Sequence, residues 1–168
     1  VDILQNNPTT WSKWTSVVLT TGVPGAGKST LAARLVAEFG YEQLELDELR
    51  AELGDRADQS LTPAAVALRD ERLAAAIAAG RKVVVSDTNA HFPFRVALIR
   101  DILSLGVPAD EIAIVHFNAD VDEAKRRNRG RASEVPEAVI DRMAAALEAA
   151  QPSLDAELYG LQYHETEL

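Results

Sequence analysis

Gly22 to Thr30 reads GVPGAGKST. The stretch fits G-x-x-x-x-G-K-[ST], with Gly22, Gly27, Lys28 and Ser29 at the set positions. Val17 to Thr21 before it is predicted to be a buried strand, and Leu31 to Phe39 after it is a largely apolar, helix-permissive run. Strand, glycine loop and helix are the context such a motif needs. Gly25 and Gly27 let the backbone turn tightly and bring its N–H groups close to phosphate oxygens. A helix starting near Lys28 adds free N–H groups and a positive end. Lys28 is expected to reach the β- and γ-phosphates, and the Ser29 hydroxyl suits Mg²⁺. Gly22, Gly25, Ala26, Gly27, Lys28, Ser29 and Thr30 are therefore the expected nucleotide-binding residues, with ATP or another nucleoside triphosphate as ligand.

The chain has 168 residues, 47% hydrophobic and 26% charged, which suits one domain with one substantial core. The expected organisation is a single domain over 1–168, with an extension at 1–14, a lid at 120–135 and a tail at 151–168. No apolar run is long enough to cross a bilayer. The start lacks the basic-then-apolar pattern of an export signal. Cysteine is absent, which excludes disulfides and cysteine metal sites. A cytoplasmic protein with no membrane partner is expected. The net charge of −9 argues against broad nucleic-acid binding, which needs a basic surface. Against that background Lys125, Arg126, Arg127, Arg129 and Arg131 form a dense basic cluster. An acidic protein with one such patch can still hold a short phosphate-bearing substrate.

Within Val1 to Trp14, Pro8, Thr9 and Thr10 argue against a regular element, and Trp11 or Trp14 is expected to pack on the domain. Tyr41 to Leu46 is predicted as the second strand, with Glu48 to Leu53 a short helix. Thr62-Pro63 looks like a helix start, and that helix runs to about Ala79. Val83-Val84-Val85 is an all-branched strand, most naturally central and parallel. Phe92 to Leu105 is predicted helical, Ile112 to Phe117 a strand and Val121 to Asn128 a helix. Val135-Pro136 opens a last long helix that Gln151-Pro152 ends. The residues beyond are expected to cover a sheet edge or reach the nucleotide base. The alternation gives an α/β fold: a P-loop NTPase with four or five parallel strands, helices on both faces and a helical arginine lid. A fifth strand would have to come from the tail, which shows no clear strand pattern.

Asp47 and Arg50 form D-x-x-R just past a strand end, where open α/β sheets bind ligands. Three apart on a short helix, they share a side. Such a carboxylate can take a proton from a hydroxyl and orient it toward a γ-phosphate. Such an arginine offers a fork to a substrate phosphate. A plain helix-start ion pair is the alternative. Asp87, after the valine strand, can hold Mg²⁺ directly or through water, or orient Ser29 or Arg50. Thr88 and Asn89 can donate to phosphate or cap the next helix. Arg127 and Arg131 sit where a lid would close over the triphosphate, and they can balance charge on the transferring group. The three histidines, His91, His116 and His164, lack metal-ligand spacing, and His116 is expected to be structural.

Together GVPGAGKST, Asp47-x-x-Arg50, VVVSDTNAHFPFR and RNRGRASEVP resemble the polynucleotide 5′-hydroxyl kinase family, in particular the kinase domain of the phage enzyme. The likeness runs from about Val17 to Leu147. It implies transfer of the γ-phosphate of ATP, with Mg²⁺, to the 5′-OH of an RNA or DNA end, in the cytoplasm of a bacterial or phage-infected cell. By it, Asp47 is the general base, Arg50 holds the 3′-phosphate of the terminal nucleotide, and Asp87 supports that arrangement. Arg131 contacts donor phosphate from the lid, with Arg127 beside it. No D-x-D-x-T phosphatase start is present, so the chain reads as a free-standing kinase or an excised kinase domain. A small-metabolite or nucleoside kinase on the same scaffold is the alternative. A nucleotide-binding switch protein is a third reading, one that leaves Asp47 and Arg50 without a purpose. Oligomeric state is left open, a homo-oligomer included.

Overall fold

β1, Val17–Thr21, is buried along its whole length, as a strand covered on both faces must be. In the computed structural model, which describes residues 8–131 and 134–167, it is the centre of a five-stranded sheet. β2 (Glu42–Leu44), β3 (Val83–Val85), β4 (Ile112–Asn118) and β5 (Gln162–Glu167) complete the sheet. The strand order is β2-β3-β1-β4-β5. All four pairings are parallel, with Val17 opposite both Val83 and Ile112.

Helices cover both faces. α2 (Lys28–Phe39), α6 (Val121–Asn128) and α7 (Glu137–Ala149) pack against one face through Ala32, Leu35, Ala124, Ile140 and Leu147. α4 (Thr62–Ala78), α5 (Phe92–Ser104) and α8 (Pro152–Tyr159) pack against the other through Leu73, Ala76, Ile99, Ile102 and Ala156. α3, Leu46–Leu53, sits above β2 and lies along α4. No helix among the described residues is long and apolar enough to cross a membrane.

The structure departs from expectation at the two chain ends and at α3. Pro8–Trp11 forms a short helix, α1, and Ser12–Trp14 a 3-10 turn. Pro8 occupies the first helical position, where its missing N–H costs nothing. Trp11 is buried and its ring stacks on His164 at 5.0 Å, whereas Trp14 is exposed. At the other end Pro152 does not merely end a helix; it starts α8. The tail then supplies β5, an edge strand whose side chains are mostly polar, so no apolar alternation marked it. α3 begins at Leu46, two residues before the predicted start. Glu45 occupies its N-cap position without a side-chain cap, and Asp87 Oδ1 accepts the Leu46 N–H at 2.8 Å in its place.

Candidate active site

The phosphate loop joins β1 to α2. Lys28 opens α2, with its side chain folded back so that Nζ donates to the Val23 carbonyl at 2.7 Å. Gly25 (φ 84) and Gly27 (φ 100) take left-handed backbone that L side chains rarely adopt. Gly22 N–H donates to the Thr88 carbonyl at 3.0 Å, which ties the loop to the end of β3. Ser29 and Thr30 are exposed on the first turn of α2, and Ala26 is buried beneath the loop. Burial, then the positive charge of Arg131, lowers Lys28 to about 8.

On the β2–β3 side the structure brings Asp47, Arg50 and Asp87 to one sheet edge. Asp47 is in the first turn of α3 and Arg50 one turn on. Arg50 is almost wholly buried and pairs with Asp47. Its Nε donates to the Arg56 carbonyl at 2.9 Å, and Nη1 to Thr62 Oγ1 at 3.4 Å. The guanidinium therefore orients Asp47 and pins the loop that leads to α4. Asp87 lies beside this pair, its Oδ2 buried without a hydrogen-bond partner among the described residues. Burial pushes Asp87 up to about 6, against the Leu46 N–H and the Arg69 charge, which act the other way. The negative charges of Asp87 and Asp47 reach Lys28 across the site.

Asn89 does not cap α5, whose N-cap is His91. It adopts a left-handed conformation (φ 42), and its Nδ2 donates to the Thr20 carbonyl at 2.8 Å, so it holds the β3 end against β1. The Thr88 side chain is half-buried beside it.

The basic cluster divides. Arg126 and Arg127 both pair with Glu123, Arg129 with Glu137 and Lys125 with Asp141. Arg131 makes no ion pair among the described residues, and its charge acts on Lys28. Arg127 is thus held on its own helix, while the Arg131 charge stands near enough to act on Lys28. Asn128 ties the end of α6 to the segment before α7. It is buried, donates to the Val135 carbonyl at 2.8 Å and accepts the Val135 N–H at 2.9 Å.

Four further groups shape the site, none of them given a role by residue type or spacing. Glu45, half-buried at the start of α3, accepts from Ser86 Oγ at 3.2 Å and Gln43 Nε2 at 3.0 Å, and burial raises its carboxyl. Arg69 on α4 approaches Asp87. Arg95 is fully buried and binds Asp155 at 2.6 Å and the Asn89, Ala90 and Ala150 carbonyls, so it shapes the loop after β3. Asn128 is the fourth. Arg95 closes VVVSDTNAHFPFR and Asn128 lies within RNRGRASEVP, so both stand inside recognised motifs; Glu45 is marked only by its place beside Asp47, and nothing local marks Arg69.

A cavity of about 420 Å³ opens on the far side of the phosphate loop from Asp47. Val23, His116, Asn118, Leu147, Gln151 and Tyr163 are among its lining residues. His116 Nδ1 lies 2.8 Å from Thr21 Oγ1, and burial lowers its pKa.

The residues present fit Mg²⁺ and a triphosphate. Mg²⁺ keeps several waters and takes one or two protein oxygens beside substrate phosphates. The exposed Ser29 hydroxyl could supply one such oxygen, and Asp87 Oδ2, buried and without a hydrogen bond among the described residues, a second through water. Among the described residues no group of three or more His, Asp or Glu is arranged as a metal cage.

A parallel sheet in this order with the glycine loop after its central strand defines a P-loop NTPase. The chain belongs to the AAA domain family, whose model matches residues 17–150. Among solved structures, a chain of the Pnkp1/Rnl/Hen1 RNA repair complex is 18% identical with a TM-score of 0.71, over 83% of this chain and 46% of that one. A gluconokinase from Sinorhizobium meliloti 1021 is 17% identical with a TM-score of 0.60, over 92% and 83%. A sugar kinase from Janibacter sp. HTCC2649 is 23% identical with a TM-score of 0.56, over 91% and 85%. At these identities the likeness is one of fold. It spans less than half of the repair-complex chain it matches.

Proposed function

We propose that the protein is an ATP-dependent polynucleotide 5′-hydroxyl kinase, acting on RNA or DNA ends. The observation that carries the reading is the placement of Asp47, Arg50 and Asp87 at one sheet edge, facing Lys28 across the phosphate loop. The RNA repair complex named above is consistent with it. The triphosphate lies along Gly22 to Thr30, with its base in the cavity beside Val23. Ser29 and Asp87 would hold Mg²⁺, which would neutralise charge on the phosphates. Asp47 takes the proton of the acceptor hydroxyl as its oxygen bonds to the γ-phosphorus. The bond from that phosphorus to the β–γ bridging oxygen breaks, and ADP leaves. Lys28 and Arg131 offset charge on the transferring group. Arg50 binds the phosphate adjoining the acceptor nucleoside.

One observation favours a second reading. Arg50 is almost wholly buried and each of its nitrogens already donates once within the protein, which leaves only the second N–H of each Nη for a phosphate. A hydroxyl acceptor with no adjoining phosphate, as a small metabolite can be, would ask nothing of this network. This chain also spans most of the gluconokinase and the sugar kinase.

The deciding experiment offers γ-labelled ATP and Mg²⁺ with a 5′-OH oligonucleotide, a nucleoside 3′-monophosphate or the bare nucleoside. Labelling of the first two alone is expected. No labelling of any of them, with ATP binding intact, would leave the small-metabolite reading.

A further inference from the structure

Arg69 belongs to none of the motifs. It projects from α4 with a side chain only 12% exposed. Nε and Nη2 donate to Asp70 Oδ1 at 3.2 and 3.1 Å, while Nη1 lies 4.0 Å from Asp87 Oδ2. That oxygen is the one left without a hydrogen bond among the described residues, and its twin caps α3 through the Leu46 N–H. Asp87 is thus gripped from two sides: by the backbone that starts α3, and by a cation from α4. A buried carboxylate is costly unless a cation stands within reach. Glu45 and Asp47 add negative charge around it, which makes Arg69 the more necessary.

We infer that Arg69 is a positioning residue of the acceptor site, acting through Asp87 to hold the first turn of α3 and with it Asp47 and Arg50. The step from α3 to the acceptor rests on the kinase reading above; the step from Arg69 to α3 does not. The donor phosphates meet β1, α2 and α6, which Arg69 does not touch through any hydrogen bond or ion pair among the described residues; Asp87 is shared with the proposed Mg²⁺ position, so donor affinity is read without Mg²⁺.

The test compares Arg69→Met and Arg69→Lys with Arg72→Met. Arg72 also bridges α4 to α3, through Glu52 at 2.6 Å, but at an exposed position that makes no contact with Asp87. In the Arg69→Met protein the amides of Leu46 to Leu49 are expected to exchange with solvent about tenfold faster. Acceptor KM rises and kcat falls about tenfold, while affinity for a fluorescent ATP analogue stays within about twofold. Arg69→Lys restores part of the loss, and Arg72→Met leaves all readouts near wild type. Unchanged exchange in α3 of Arg69→Met would overturn the inference. So would parallel loss of ATP affinity and transfer with a falling melting temperature, which marks general destabilisation. If the wild-type protein phosphorylates no nucleic-acid end, the polynucleotide reading fails, and the exchange measurement still decides the role of Arg69.

Discussion

A Cβ placed on Gly25 would lie 2.7 Å from the Ala124 carbonyl oxygen of α6. The phosphate loop and α6 approach backbone to backbone there. Gly25→Ala has no flexible side chain to push aside. Its expected outcome is at least a tenfold loss of ATP affinity by direct titration. Gly40→Ala is the control: Gly40 is also left-handed but has nothing within 4 Å. It should cost about 1–2 kcal/mol of stability and leave affinity alone. Equal affinity in both variants would show that the loop and α6 move freely past each other.

Arg131 and Arg127 should separate in kinetics. Arg127 is tied to Glu123, which it shares with Arg126, whereas the Arg131 charge acts on Lys28. Arg131→Ala is expected to lower kcat by about 10²–10³-fold, the scale of losing one preorganised charge-stabilising group. Arg127→Ala should stay within about threefold. The reverse order, measured under saturating ATP, would move the lid role to Arg127.

Lys28 titrates in a window that binding can read. Burial lowers it from 10.5 to about 8, so in the ligand-free protein it begins to lose its charge near pH 8. ATP binding restores the charged form, so affinity should hold steady below pH 7 and fall above pH 8 by about tenfold per pH unit. The stability sign is the opposite of a salt-bridged lysine. Between about 8 and 10.5 the unfolded chain keeps the Lys28 proton and the folded chain releases it. This residue therefore favours the folded state increasingly as pH rises through that window, and destabilises it below. Denaturant titrations of Lys28→Met against wild type across pH 7–10 would expose the difference in slope.

The Arg95–Asp155 pair predicts a stability result. Both side chains are buried and 2.6 Å apart. Asp155→Ala strands the guanidinium in the core and should cost about 3–5 kcal/mol. Arg95→Met with Asp155→Leu should cost less than the single change, because no lone charge remains. A single-variant loss under about 1 kcal/mol by urea unfolding would show that water reaches the site.

The legible parts of this protein are those whose signal is local. VVLTT before GVPGAGKST places β1 and the loop without any knowledge of the remaining fold. Val83–Val85 and Ile112 onward read as strands because a parallel strand is apolar on both faces. β5 was not legible, since Gln162, His164, Glu165 and Thr166 carry no apolar alternation; β4 recruits it by backbone pairing. α3 starts early because a carboxylate from β3, distant in sequence, caps it. The basic run looked like one patch, yet Glu123, Glu137 and Asp141 absorb four of its members.

By itself the sequence determined the P-loop, the parallel α/β architecture and the candidate residues Lys28, Asp47, Arg50, Asp87 and Arg131. Those follow from short-range patterns: loop chemistry, strand hydrophobicity and strand-end position. Tertiary structure alone decided which of these groups meet. It put Arg131 rather than Arg127 toward Lys28, enclosed Arg50 in an internal network, and set Arg69 behind Asp87. The physical reason is that ion pairs and caps depend on distances of a few ångströms between segments tens of residues apart, and the packing of helices on both sheet faces sets those distances.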